Sequence, residues 1–203
     1  MEQKESFNTI KEASAEILFK ERKSKFFGYA FPVSTQEEIK NALDLLRKKY
    51  PNANHVCYAW QLGVDNQIFR ANDDGEPNNS AGMPIYGQIQ SFNVTNILIA
   101  VVRIFGGTKL GVGGLIQAYK ETAKLTLENC AIIEKVVEKQ VSLKFGYNDL
   151  NSVMGILKRF DATMVSQHME MECHIVANIA KKYKTDFTKA FENLHKVELQ
   201  IMT

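Results

Sequence analysis

The feature that most constrains this chain is a junction. Ile97 to Phe105 is a near-continuous, β-branched apolar run interrupted only by Arg103, and it passes directly into Gly106-Gly107-Thr108-Lys109-Leu110-Gly111-Val112-Gly113-Gly114. A strand that is apolar at nearly every position is covered on both faces, so the fold needs packed layers on either side of it. After the glycines, Leu115, Ala118, Thr122 and Leu125 recur at helical spacing and predict a helix with that inner face. Strand, glycine loop and helix are therefore contiguous.

Backbone N–H groups at a helix N-terminus attract anions, and the missing Cβ of glycine lets a phosphate or a ligand backbone come close. Gly106, Gly107, Gly111, Gly113 and Gly114, with Arg103 and Lys109 supplying charge, thus form a candidate binding site. The plain structural alternative uses the same glycines for positive φ angles and close helix-to-sheet packing, and the two readings stand level. Nucleotide fingerprints do not fit. A Walker loop ends in Gly-Lys-Ser/Thr, and a dinucleotide loop starting at Gly111 needs glycine where Ile116 stands. ATP and NAD are disfavoured, and no cofactor is expected.

A second loop precedes the apolar run. Asn72 to Pro84 has turn-forming residues at nearly every position and no helical or strand period, which predicts a long ordered loop. Asp73, Asp74 and Glu76 lie close enough together to hold a divalent cation or to act as acid and base. EF-hand spacing is absent, and an Asx-rich turn centred on Asp74-Gly75 would instead use these carboxylates as acceptors for backbone N–H groups. His55 and Cys57 share one face of a strand, so a Cys-His nucleophile can be drawn, yet nothing local orients the imidazole. A half-buried histidine beside a buried cysteine is the plainer reading. A zinc site joining them to Cys173 and His174 is opposed by geometry, since adjacent strand residues point to opposite faces. No metal is expected.

The rest of the chain reads as mixed α+β. Residues 16–19 and 26–31 suit a hairpin around the charged turn Glu21-Arg22-Lys23-Ser24. Ser34 with Glu37, or Thr35 with Glu38, stands at capping-box spacing before an amphipathic helix carrying Ile39, Ala42, Leu43, Leu46 and Tyr50. His55 to Leu62 alternates and predicts a strand with one face buried. From about Lys139 the order is β-α-β-β-α-β, the ferredoxin-like plan, with an alternating run from Met169 to Ile179 read as one long strand and Thr185 as a helix cap. The composition turns charged at Glu134 to Glu138, giving expected domains at 1–135 and 136–203.

Charge narrows the function classes. Lys and Arg total 25 against 23 Asp and Glu, so any nucleic-acid contact must be a local patch rather than a basic face. Candidate patches are Arg22, Lys23 and Lys25, then Lys158-Arg159, then Lys181, Lys182 and Lys184, with Phe26, Phe160 and Tyr183 beside them. Three widely spaced cysteines form no disulfide framework, the N-terminal residues have no apolar h-region, and the longest apolar run is too short for a bilayer. A cytoplasmic protein without membrane attachment is expected.

Several of these residues together resemble a known family. Asp73-Asp74-Gly75-Glu76-Pro77 with Ala81-Gly82-Met83-Pro84, then Val101 to Leu115 and Ala118-Tyr119, look like the IMPACT family with its YigZ-type bacterial members. Ala53-Asn54-His55-Val56-Cys57-Tyr58-Ala59 is similar to that family's Ala-x-His-x-Cys-x-Ala strand. The departures are Asn78-Asn79-Ser80 for Ser-Gly-Thr, Ile104 for an aromatic, and Gln117 for an arginine.

The resemblance implies an N-terminal βαβ domain of the type shared by a ribosomal small-subunit protein and domain IV of elongation factor G, followed by a ferredoxin-like domain. It also implies translational control as the functional setting. The leading expectation is a translation-associated regulatory protein that binds RNA, the ribosome or a translation-factor partner through the glycine-rich loop, with His55, Asp73, Asp74 and Glu76 nearby. The alternatives are a metal-dependent hydrolase or phosphotransferase using Asp73, Asp74 and Glu76, and a protein-interaction module.

Overall fold

The computed structural model describes residues 4–65 and 67–202. In chain order its elements are β1 (Ser6–Ile10), β2 (Ile17–Glu21), β3 (Ser24–Pro32), α1 (Gln36–Lys49), β4 (His55–Leu62), β5 (Ile68–Asn72), α2 (Gly82–Ser91), β6 (Ile97–Ile104) and α3 (Gly111–Glu128). They continue with β7 (Ile132–Val136), β8 (Glu138–Gly146), α4 (Leu150–Arg159), β9 (Thr163–Met169), β10 (Glu172–Ala180), α5 (Lys184–Ala190) and β11 (Glu198–Ile201). Two units separate, one of Phe7–Lys135 and one running from Val136 onward that also takes in the segment up to Ser6. The fold is mixed α and β throughout.

In the first unit the apolar run is the central strand. The sheet order is β2-β3-β6-β4-β5, and β6 pairs antiparallel with β3 on one side and β4 on the other. Ile97, Ile99 and Val101 face a core shared with Ile85 and Ile89 of α2 and Leu115, Ala118 and Tyr119 of α3. Leu98, Ala100 and Val102 face the opposite way, toward Ile39 and Leu46 of α1. Every residue from Ile97 to Val102 is wholly buried, as an unbroken β-branched run requires. The hairpin between β2 and β3 turns at Arg22 and Lys23, whose φ angles of 42° and 69° are those of a tight two-residue turn. Helix α1 starts at Thr35, and the Thr35–Glu38 pair forms the capping box.

Five expectations are corrected. Strand β4 is buried on both faces, because Cys57, Ala59 and Gln61 lie in the core. The amide of Gln61 is satisfied there by the Val94 carbonyl and the Tyr86 hydroxyl, so its polarity does not mark a solvent face. The Asn72–Pro84 stretch is shorter as a loop than it reads, since it begins at the end of β5 and runs into α2, with Pro84 tolerated in the first helical turn. The alternation from Met169 to Ile179 is broken by a turn between β9 and β10, where Met171 is 94% exposed. Thr185 sits inside α5 rather than capping it. Leu125, expected on the inner face of α3, is half-buried, and Tyr119, Ala123, Thr126 and Leu127 fill that face with Leu115, Ala118 and Thr122.

The second unit has the β-α-β-β-α-β order, with an antiparallel sheet ordered β11-β8-β10-β9. Val153 and Leu157 of α4 and Phe187 of α5 share one core with Val141, Leu143, Cys173 and Ile175, so both helices cover the same face. Among the described residues no helix is long and apolar enough to cross a membrane.

A polar clamp ties the end of α1 to the sheet. One Glu16 oxygen accepts from Tyr29 and Tyr50 hydroxyls and from Lys49 Nζ at 2.5, 2.7 and 2.9 Å. The Tyr29 hydrogen bond, followed by those from Lys49 and Tyr50, holds the Glu16 carboxyl down at about 2. A depressed carboxyl pKa stabilises the fold above the ordinary value of 4.5 and ceases to do so as pH falls toward 2. The urea midpoint of the native chain should therefore drop across that window, and Glu16→Gln should lower the midpoint at pH 7 and flatten its acid dependence.

Candidate functional site

The two loops singled out in the sequence meet at one buried ion pair. Arg103 leaves the end of β6 and its Nη1 lies 2.6 Å from Glu76 Oε1, with Arg103 5% and Glu76 8% exposed. Tyr119 of α3 donates its hydroxyl to the same oxygen at 2.8 Å, and Arg103 Nη2 lies 3.5 Å from Ser24 Oγ. The guanidinium also sits 5.5 Å from the ring centres of both Phe26 and Phe105. Its Nε is buried with no hydrogen-bond partner. The charge that the sequence offers for a phosphate thus belongs to the interior, and among the described residues Lys109 is the cation lining this region that has no ion pair.

The remaining carboxylates of the loop organise backbone. Asp73 Oδ1 accepts from the N–H groups of Ala81 and Gly82 at 3.0 and 2.8 Å, and Oδ2 from Asn79 at 2.9 Å. Helix α2 has no capping side chain at Ala81. Asp73 performs that task from outside the helix, with its charge at the positive end of the dipole. Asp74 Oδ2 accepts from Val56 N at 2.7 Å, while Oδ1 accepts from Arg47 Nη2 at 3.1 Å. Both oxygens of Asp73 and of Asp74 and Oε1 of Glu76 are thus engaged by protein donors, and among the described residues no group of three His, Cys, Asp or Glu side chains is placed to hold a metal.

His55 is oriented after all, from a distance in sequence. Its Nδ1 lies 2.8 Å from the Asp74 carbonyl, which can only accept, so Nδ1 carries the proton. Nε2 then faces Glu76 Oε1 at 3.9 Å. Cys57 does not form a nucleophile with it. Its thiol is fully buried, 3.0 Å from the Asp73 carbonyl and 3.3 Å from the Tyr119 hydroxyl. Burial, followed by the nearby carboxylates of Glu76, Asp74 and Asp73, pushes the thiol above its usual range and keeps it protonated. Burial likewise raises Tyr119.

The glycines divide between close packing and open backbone. A Cβ on Gly106 would fall 2.0 Å from the Lys23 backbone carbon, so this glycine lets the loop lie against the β2–β3 turn. Gly107 and Gly111 have φ of 85° and 72°, while Gly107, Gly111 and Gly113 face open space. Gly114 approaches the Leu110 side chain. Helix α3 begins without a side-chain cap, leaving its first N–H groups to other acceptors. Beside it lies a cleft of about 350 Å³ lined by Pro77, Phe105, Leu110, Val112 and Leu115, with Glu76, Arg103, Lys109 and Gly111. Phe105 and Val112 are 42% and 51% exposed.

Residues 22–127 match the Impact N-terminal domain family. The chain belongs to the IMPACT family. It is 29% identical over 201 residues to the IMPACT family member YvyE of Bacillus subtilis, covering 96% of this chain and 92% of that one. It is 31% identical over 151 residues to an IMPACT family member of Thermus thermophilus, covering 74% and 77%. A solved structure described only as a hypothetical protein superposes with a TM-score of 0.75 at 25% identity over 98% of both chains. Within this family member, spacing alone does not single out Tyr119, Ser24 or Arg47, because each acts on a partner far along the chain. Of the basic clusters, Arg159 and Lys182 lie over Phe160 and Tyr183, rings that pack against each other.

Removing one partner of a buried pair leaves the other charge uncompensated, at a cost of about 3–5 kcal/mol. Glu76→Gln should destabilise the first unit by that order in urea unfolding. Adding Arg103→Met should recover part of the loss, because it removes the stranded charge.

Proposed function

We propose that this chain is a cytoplasmic, translation-associated regulatory protein whose glycine-rich cleft binds a protein partner of the translation machinery. The observation that carries the binding half is the character of the cleft: apolar walls with Phe105 and Val112 exposed, beside uncapped helix N–H groups and open glycines. Such a surface suits an apolar side chain whose neighbouring carbonyls or carboxylate meet Lys109 and the start of α3. The family resemblance supports the link to translation. RNA phosphate is the weaker ligand for this cleft, because Arg103 is held by Glu76 and buried.

A photo-crosslinking amino acid at position 109, irradiated in a translation extract and in purified ribosomes, reads out the partner directly. The expected product is a crosslink to a ribosomal protein or translation factor that survives ribonuclease and falls about tenfold or more when Val112→Asp is added. Crosslinks to RNA alone, or a yield unchanged by Val112→Asp, would overturn the proposal.

A further inference from the structure

The opposite face of the first sheet carries a second concavity, of about 250 Å³, between α1 and strands β4 and β5. Its aromatic members are Tyr58, half-buried, and Trp60, 8% exposed. Arg70 on β5 is the register partner of Trp60, so its side chain leaves the sheet on the same face. Lys40, Asp44 and Arg47 line up along α1 at i, i+4 and i+7 and complete the lining. Three cations stand against Asp44 and against Asp74, which Arg47 engages, so the recess keeps a net charge of +1. Among the described residues the side chains of Lys40, Asp44 and Arg70 make no ion pair or hydrogen bond, while Arg47 engages Asp74 with Nη2. All four of these charged residues are exposed.

We infer that this concavity binds single-stranded RNA, with Lys40 and Arg70 on backbone phosphates and a base against Tyr58. Positive charge draws any anion, but the π faces of Tyr58 and of the Arg70 guanidinium add attraction for a base that a carboxylate side chain does not share. A duplex has its bases already stacked and cannot offer one to so small a recess. The choice of RNA rests on the translation reading above; the site itself rests on charge and shape. It lies on the α1 face of the sheet, whereas the glycine cleft lies at the α3 end of β6, so the two linings share no residue.

Trp60 is the only tryptophan in the chain, which makes its fluorescence a reporter of this recess. The experiment titrates the full chain with a uridine dodecamer across a salt series, beside a glutamate dodecapeptide. Saturable quenching with the RNA and none with the peptide is expected. In Lys40→Ala/Arg70→Ala the affinity should fall at least tenfold, and the slope of log K against log salt should flatten by about 1.4, from two lost phosphate contacts. Circular dichroism and the urea midpoint of that variant should stay native, since both side chains are exposed, and Arg70→Lys should retain the salt slope. Absence of quenching, equal binding by the glutamate peptide, or a double variant that binds as the native chain does would each overturn the inference. None of these outcomes bears on the crosslink at position 109.

Discussion

The contact between Glu76 and Arg103 ties together the loop, strand and helix of the candidate site. One carboxylate oxygen receives the guanidinium from β6 and the hydroxyl of Tyr119 from α3, and it stands near the imidazole of His55 on β4. Three elements and one loop therefore converge on a single atom. Burying two opposite charges is expensive unless the geometry is close and the remaining polar atoms are served. Here Ser24, Tyr119 and two aromatic rings supply compensation, while Nε of Arg103 is buried without a partner. An apolar pair of similar volume would pack as well but would not fix where the Asp73–Glu76 loop sits. The ion pair sets the position of Pro77, and with it one wall of the cleft.

In that arrangement the carboxylates that stood out in the sequence are held by protein donors. Each carboxylate of the loop faces donors at bonding distance: Asp73 the start of α2, Asp74 the N–H of Val56 and Arg47, Glu76 the core cation. Cys57 is likewise an interior group, kept neutral by its surroundings. What the cleft leaves open is apolar surface, glycine backbone and Lys109.

Much of this fold was legible in the sequence, and the legible parts share a cause. The β6 strand, the glycine segment, α3 and the capping box of α1 are all specified by residues a few positions apart, where periodicity and cap chemistry act. The β-α-β-β-α-β order of the second unit was readable for the same reason. The failures are long-range. Helix α2 carries no local start signal because its cap, Asp73, lies eight residues before Ala81. Both faces of β4 are buried because α2 and α3 cover what alternation marks as polar, and Gln61 finds its partners only in the folded core. The meeting of Glu76 with Arg103 spans 27 residues, and the orientation of His55 by Asp74 spans 19. The two motifs could each be seen, but not that they are halves of one site.

The capping of α2 by Asp73 also has a dynamic consequence. A helix capped by its own first residue frays one turn at a time, whereas here the amides of Asn79, Ala81 and Gly82 share one carboxylate located in the preceding loop. Their protection against hydrogen exchange therefore rises and falls together, with a single opening free energy that belongs to the loop rather than to the helix. A ligand that presses on Pro77 would slow all three amides at once, and would be visible there even if it touched none of them.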